Sequence, residues 1–255
     1  MIVFMGSGFM QAGHGVRCEW GPVGAARLAE DIACLVVVDI LSFTTSVTVA
    51  VEAGAQVFPY RWRDETAVLF ADQMDARLAV GRSMATETSP WSLSPAALRR
   101  APFTPRLVLP SPNGSTIAAS AGGSTVVAAS LRNSTAVGGW LADQGYGTAE
   151  RPVAVIASGE RWPDGSLRPA LEDLLGAGAV IASLRRRGRD QLSPEAAVAA
   201  AAFAGVTNVG TVVADSCSGR ELIDGGYADD VAIATELDAS SVVPVLISGA
   251  FTAAG

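Results

Sequence analysis

The 255-residue chain is short of the side chains on which much enzyme chemistry rests. Its one histidine, His14, sits between glycines in Q-A-G-H-G, so histidine-dependent phosphatases and histidine-rich two-metal sites are out of reach. Its three cysteines, Cys18, Cys34 and Cys217, are odd in number and widely spaced, without a C-x-x-C, and imply no disulfide framework. Cys217 cannot head a cysteine-phosphatase loop, because the arginine required six places on is Ile223. The aspartyl-phosphate pattern fails after Asp39, where Leu41 stands in place of the second Asp. G-x-S-x-G and the phosphate-binding G-x-x-x-x-G-K-[ST] are both missing. All 18 basic residues are arginine, and the net charge of −7 argues against a nucleic-acid partner. No run reaches the ~20 apolar residues of a membrane span, and the opening M-I-V-F-M-G-S-G-F-M lacks the basic start of a leader. A cytoplasmic protein with no membrane partner is the expectation.

What the chain does have is 49% apolar residues, rich in Ala, Val and Gly, arranged as short runs that alternate with helical patterns. That alternation predicts an α/β fold: three layers, α/β/α, around a mostly buried mixed sheet, in one domain with a possible subdivision near 140–150. Strands are expected at 16–20, 33–39, 56–60, 107–109, 125–129 and 153–157. The apolar tail V-V-P-V-L-I-S-G-A-F reads as an edge strand because it contains Pro244. Arg17 and Glu19 alternate with apolar neighbours and read as a solvent face. The Ser/Thr/Pro-rich stretch 81–95 reads as a surface loop. A weakly charged, apolar chain makes a homodimer plausible.

The densest chemistry lies between Val153 and Leu175. A buried strand ends at Ser158-Gly159, a polar loop follows with Glu160, Arg161, Asp164 and Arg168, and Pro169 is expected to open a helix bearing Glu172 and Asp173. Four acids and two arginines thus fall within fourteen residues. Strand exits are where open α/β sheets place ligands. Acids in a first helical turn are also favoured by the helix dipole alone, so the pattern by itself leaves both readings open. The same holds for Asp39, at the end of the run A-C-L-V-V-V-D: it is placed to act as metal ligand or nucleophile, or simply to cap the next helix. Asn113-Gly114 with Ser115, and Asn133 in S-L-R-N, sit at two further strand exits. With histidine and cysteine designs excluded, carboxylate chemistry with a hard cation remains. Mg²⁺ takes oxygen ligands, uses one or two carboxylates and completes its shell with water and substrate phosphate.

Taken in order, these pieces resemble the 2-phosphosulfolactate phosphatase family of coenzyme M biosynthesis, from about Arg17 onward. The resemblance is carried by Asp39 with L-S-F-T-T-S, N-G-S at 113–115, S-L-R-N at 130–133, S-G-E-R at 158–161, L-E-D-L-L-G-A-G at 171–178 and S-G-R-E-L at 218–222. It implies an α/β/α Mg²⁺-dependent phosphatase that releases sulfolactate and phosphate from a small phosphorylated organic acid. It further implies that Asp39, Glu172 and Asp173 are acidic site residues holding the metal, and that Asn113, Gly114 and Ser115 line the anion pocket. From the residues themselves come Glu160, as the group that orients water, and Arg161, Arg168 and Asn133 as further partners of the substrate. The chain departs from the family where Ser42 replaces an arginine and where Pro90 and Leu93 stand for an Asp and an Asn; Gly81-Arg82 answers the family's E-R. Those departures leave open a phosphatase for a different phosphorylated acid, or a metabolite-binding protein without catalysis.

Overall fold

The structure is a computed structural model that describes residues 7–62 and 64–255. Met1–Gly6, most of the opening stretch read above for a leader, lie outside the described residues. The strands are β1 (Val16–Trp20), β2 (Cys34–Val38), β3 (Gln56–Tyr60), β4 (Arg77–Leu78), β5 (Arg106–Pro110), β6 (Thr125–Ala129), β7 (Val153–Ala157), β8 (Glu160–Arg161), β9 (Leu167–Arg168), β10 (Pro244–Ile247) and β11 (Ala250–Ala253). The helices are α1 (Gly21–Leu28), α2 (Phe43–Glu52), α3 (Glu65–Gln73), α4 (Pro95–Arg100), α5 (Gly114–Ala118), α6 (Ser134–Asp143), α7 (Leu171–Arg186), α8 (Pro194–Ala204), α9 (Val209–Asp215), α10 (Cys217–Asp224) and α11 (Ala228–Ala234).

Nine strands form one mixed sheet in the order β1-β7-β2-β6-β10-β11-β3-β5-β4. β1, β7, β2 and β6 run parallel, as do β3, β5 and β4. Antiparallel pairings on both sides of the β10–β11 hairpin set these two parallel halves in opposite directions. The C-terminal hairpin is therefore the seam of the sheet, not its edge. Pro244 is tolerated because it is the first residue of its strand, where a missing N–H costs no ladder bond. β2 and β7 are buried along their whole length, as expected for parallel strands covered on both faces.

The two faces carry separate cores. On one, Val36, Val38 and Val155 pack with Leu175, Ile181 and Ala199 beneath α7 and α8. On the other, Leu35, Val37 and Ile156 meet Val57, Leu109 and Phe251 around Phe43 and Val47 of α2. Small residues bring α7 close to its neighbours. A Cβ on Gly176 would stand 2.6 Å from Ile40 Cδ1, and one on Gly178 would run into the Ala199 carbonyl. Residues 140–150 span the end of α6 and the link to β7, and β6 and β7 on either side both pair with β2.

Two local expectations are corrected. Arg17 does not face water: it is 1% exposed, and its guanidinium donates to the carbonyls of Met10 and His14 and to Asp31. Pro169 does not open α7, which starts at Leu171 after Ala170. The residue before a proline is pushed to extended backbone, and Arg168 accordingly ends β9 of a small hairpin with β8.

Candidate active site

The exits of β2 and β7 lie side by side, and α7 points its first turn at both. Asp173, in that turn, accepts the backbone N–H of Ile40 at 2.7 Å on one oxygen and that of Gly159 at 2.9 Å on the other. Asp39 is fixed as firmly. Its Oδ1 accepts from the Phe43 N–H at 3.1 Å and so caps α2, while Oδ2 accepts from the Gly114 N–H at 3.1 Å. Gly114 is required at this approach, since a Cβ would strike the Phe43 ring and stand 2.9 Å from Asp39 Oδ2. Glu172 is 2% exposed, with Ser216 Oγ 3.3 Å from its carboxylate. Glu160 enters from the β8–β9 hairpin, where it faces Arg168 across the strand pair and accepts from Asn113 Nδ2 at 3.3 Å.

Three chain segments thus bring four carboxyls to the same strand exits, where Asp39 and Glu172 act on the proton affinities of their neighbours. Burial raises the Asp39 carboxyl above the ordinary range. Backbone donors from Phe43 and Gly114 and the charge of Arg82 oppose that shift, and Glu172 adds to it. Asp173 is raised well above its usual value by burial and then by the charges of Asp39 and Glu172. Burial, followed by Asp39 and Glu172, lifts Glu160 to about 7, with Arg168 pulling the other way. These are the marks of a functional cluster: desolvated acids forced together, with too little positive charge to settle them.

The sequence model of the 2-phosphosulpholactate phosphatase family matches residues 24–249. The chain belongs to that family. Three relatives carry the name probable 2-phosphosulfolactate phosphatase. The protein from Thermotoga maritima is 26% identical over 221 residues, covering 85% of this chain and 90% of its own. That from Deinococcus radiodurans is 27% identical over 224 residues, 86% and 90% of the two chains. That from Carboxydothermus hydrogenoformans is 29% identical over 219 residues, 85% and 87%.

Of the site residues expected for this family member, Asp39, Glu160, Glu172, Asp173, Asn113, Gly114 and Arg168 come together. Ser115 is 2% exposed beside Gly114, and its Oγ has no hydrogen-bond partner among the described residues. Arg161 is not drawn in: β-strand alternation sends it to the opposite face of the hairpin from Glu160, exposed, where it donates to the Gly165 carbonyl at 3.0 Å. Asn133 is also elsewhere. It is fully buried, accepts the Ser130 N–H at 2.8 Å and donates to the Val242 carbonyl at 3.0 Å, so it ties the β6 exit to the C-terminal segment. Gly114 lines the site, but its N–H is already given to Asp39.

Arg82 is the residue that sequence reasoning passed over. It sits in the stretch read as loop, yet its side chain is only 18% exposed, and it bonds Asp230 and Ser42. Its pairing with Gly81 as the counterpart of the family's E-R was the available signal. Ser216 and Ser218, on the far side, reach Glu172 and Arg168.

Among the described residues no three His, Cys, Asp or Glu side chains stand ready as a complete metal-ligand set. A hard cation does not need one: Mg²⁺ is held by one or two carboxylates with water and substrate oxygens. The donors here are all oxygen, buried in Asp39, Glu172 and Asp173 and half-buried in Glu160, and in excess over the cations Arg82 and Arg168, which is the chemistry that such an ion fits.

Proposed function

We propose that this chain is a Mg²⁺-dependent phosphomonoester hydrolase of small organic acids, with 2-phosphosulfolactate as its substrate and sulfolactate and phosphate as its products. The observation that carries this reading is the convergence of Asp39, Glu160, Glu172 and Asp173 at the β2 and β7 exits, with Arg168 facing Glu160 across the hairpin and Arg82 close enough to Asp39 to oppose the rise of its carboxyl. The names of the relatives point the same way.

In this reading Asp39, Glu172 and Asp173 would hold the metal directly or through water, and Asp39 and Asp173, each of whose oxygens accepts a backbone N–H, also brace the loops around it. Bound Mg²⁺ would supply charge neutralisation and polarisation of a phosphoryl oxygen. Arg168, anchored on Ser218 at 3.1 Å, and the Asn113 amide receive the phosphate. Glu160 orients the attacking water and takes its proton, a task suited to a carboxyl whose affinity for protons is raised above all by its burial. Water oxygen bonds to phosphorus, the phosphorus–oxygen ester bond breaks, and the leaving alkoxide takes a proton from solvent while Glu160 returns to solvent the one it removed from the water.

Phosphate release over a panel of phosphorylated organic acids, with Mg²⁺ and with EDTA, tests the proposal. Release that depends on Mg²⁺ and is fastest on 2-phosphosulfolactate is expected. Faster release from another member of the panel would replace the substrate, and no release from any would leave a binding protein.

A further inference from the structure

Asp230 belongs to no part of the carboxylate cluster, yet it is built in as firmly. It lies in the first turn of α11, 1% exposed. Its Oδ1 accepts from Ser94 Oγ at 2.5 Å and from the Ala96 N–H at 3.0 Å, both at the start of α4. Its Oδ2 accepts from Arg82 Nε at 3.0 Å. Beyond Nε, the Arg82 guanidinium lies 5.8 Å from the centre of the Tyr227 ring, and Nη2 donates to Ser42, three residues after Asp39. Nη1 has no protein partner among the described residues.

A buried ion pair adds little stability relative to apolar side chains of the same volume, because desolvation offsets the attraction. What this pair supplies is position. Arginine has many rotamers and would be free to swing into solvent; three contacts confine it to one orientation, at a distance from which it acts on Asp39.

We infer that Asp230, backed by Ser94, is a positioning residue that holds Arg82 against the rim of the carboxylate cluster, where the free edge of the guanidinium meets the anionic substrate. The inference rests on the phosphatase reading for its substrate. Its test therefore includes a binding measurement that survives the failure of that reading.

Inorganic phosphate is titrated calorimetrically, in Mg²⁺, into wild type, Asp230→Asn, Arg82→Met, the double variant and Ser94→Ala, with thermal unfolding recorded for each. Asp230→Asn is expected to weaken phosphate binding about tenfold, the low end of the loss when a group that orients a ligating side chain is removed. Arg82→Met should weaken it at least as much, the double variant no more than Arg82→Met, and Ser94→Ala by a smaller factor. In turnover, the loss should fall on KM, with kcat changed less than about threefold. Unchanged affinity in a folded Asp230→Asn, or losses that multiply in the double variant, would overturn the inference. Should Asp230→Asn not fold, unchanged affinity in Ser94→Ala overturns it instead. A wild type that binds phosphate but hydrolyses nothing defeats the phosphatase reading and leaves this one standing; a wild type that does not bind phosphate defeats this one.

Discussion

Glu160→Gln, made in the metal-free protein, isolates the electrostatic cost of the site. The Glu160 carboxyl is lifted from 4.5 to about 7, first by burial and then by Asp39 and Glu172. Between those two values the folded chain holds a proton that the unfolded chain has released. Unfolding then releases protons, and stability must fall as pH rises through this window. The rise from 4.5 to about 7 sets an upper limit of about 3.4 kcal/mol. Glu160 keeps some solvent contact, so screening reduces this to about 1–2 kcal/mol. Glutamine keeps the acceptor for Asn113 and removes the titration. Wild type and variant should match near pH 4.5 and separate above it, the variant becoming more stable by about 1–2 kcal/mol at pH 8, or about 2–8 °C in Tm for a chain of this size. Thermal and urea unfolding in EDTA, from pH 4.5 to 8, measure the gap. Asp39 and Asp173 are raised in the same sense and titrate in both proteins, so the difference between the curves reports Glu160 together with its effect on Asp173. Added Mg²⁺ should narrow it. Parallel curves across the whole range would refute the reasoning, because they would mean that the acids do not share one desolvated space.

Asp39→Asn and Glu172→Gln should each lower phosphate release by at least about a hundredfold while leaving far-ultraviolet circular dichroism unchanged, a loss of the size seen when a site's electrostatic partner is removed; near wild-type rates in either would remove that residue from the site. Gly178→Ala should destabilise the chain by about 1–3 kcal/mol in urea unfolding, because the new methyl meets the Ala199 carbonyl between two packed helices and neither backbone can yield cheaply.

Much of the fold was legible because short apolar runs admit few alternatives. β3, β6 and β7 fall on the residues that the hydrophobic pattern marks, and α7 carries the expected Glu172 and Asp173 in its first turn. The reversal at β10–β11 was not legible. Local sequence specifies that 244–253 is extended, but which strands flank it depends on β6 and β3, more than a hundred residues away. Arg17 misled for a related reason: alternation along an edge strand says which side a residue takes, not that the segment around Met10 and His14 folds back over that side. In the site, acids at strand exits could be read one by one. That Arg161 turns away while Arg168 faces Glu160 follows from the hairpin, and a polar loop and a two-stranded hairpin share the same composition.

The acids of this site also hold the fold together, which bears on how they should be tested. Asp173 joins the exits of two strands through Ile40 and Gly159, and Asp39 caps α2 while pinning the turn at Gly114. Removing either carboxylate strands two buried N–H groups, each worth about 1–3 kcal/mol. Loss of activity in an alanine variant would therefore not separate chemistry from collapse. Asparagine retains one acceptor oxygen, and Glu172, held among the described residues by one long contact with Ser216, has the least structural work of the three. Glu172→Gln is thus the substitution in which activity and stability should part most cleanly. A variant that loses turnover yet matches or exceeds the wild-type melting temperature would mark Glu172 as a group kept for its charge, in the site of a protein that would be more stable without it.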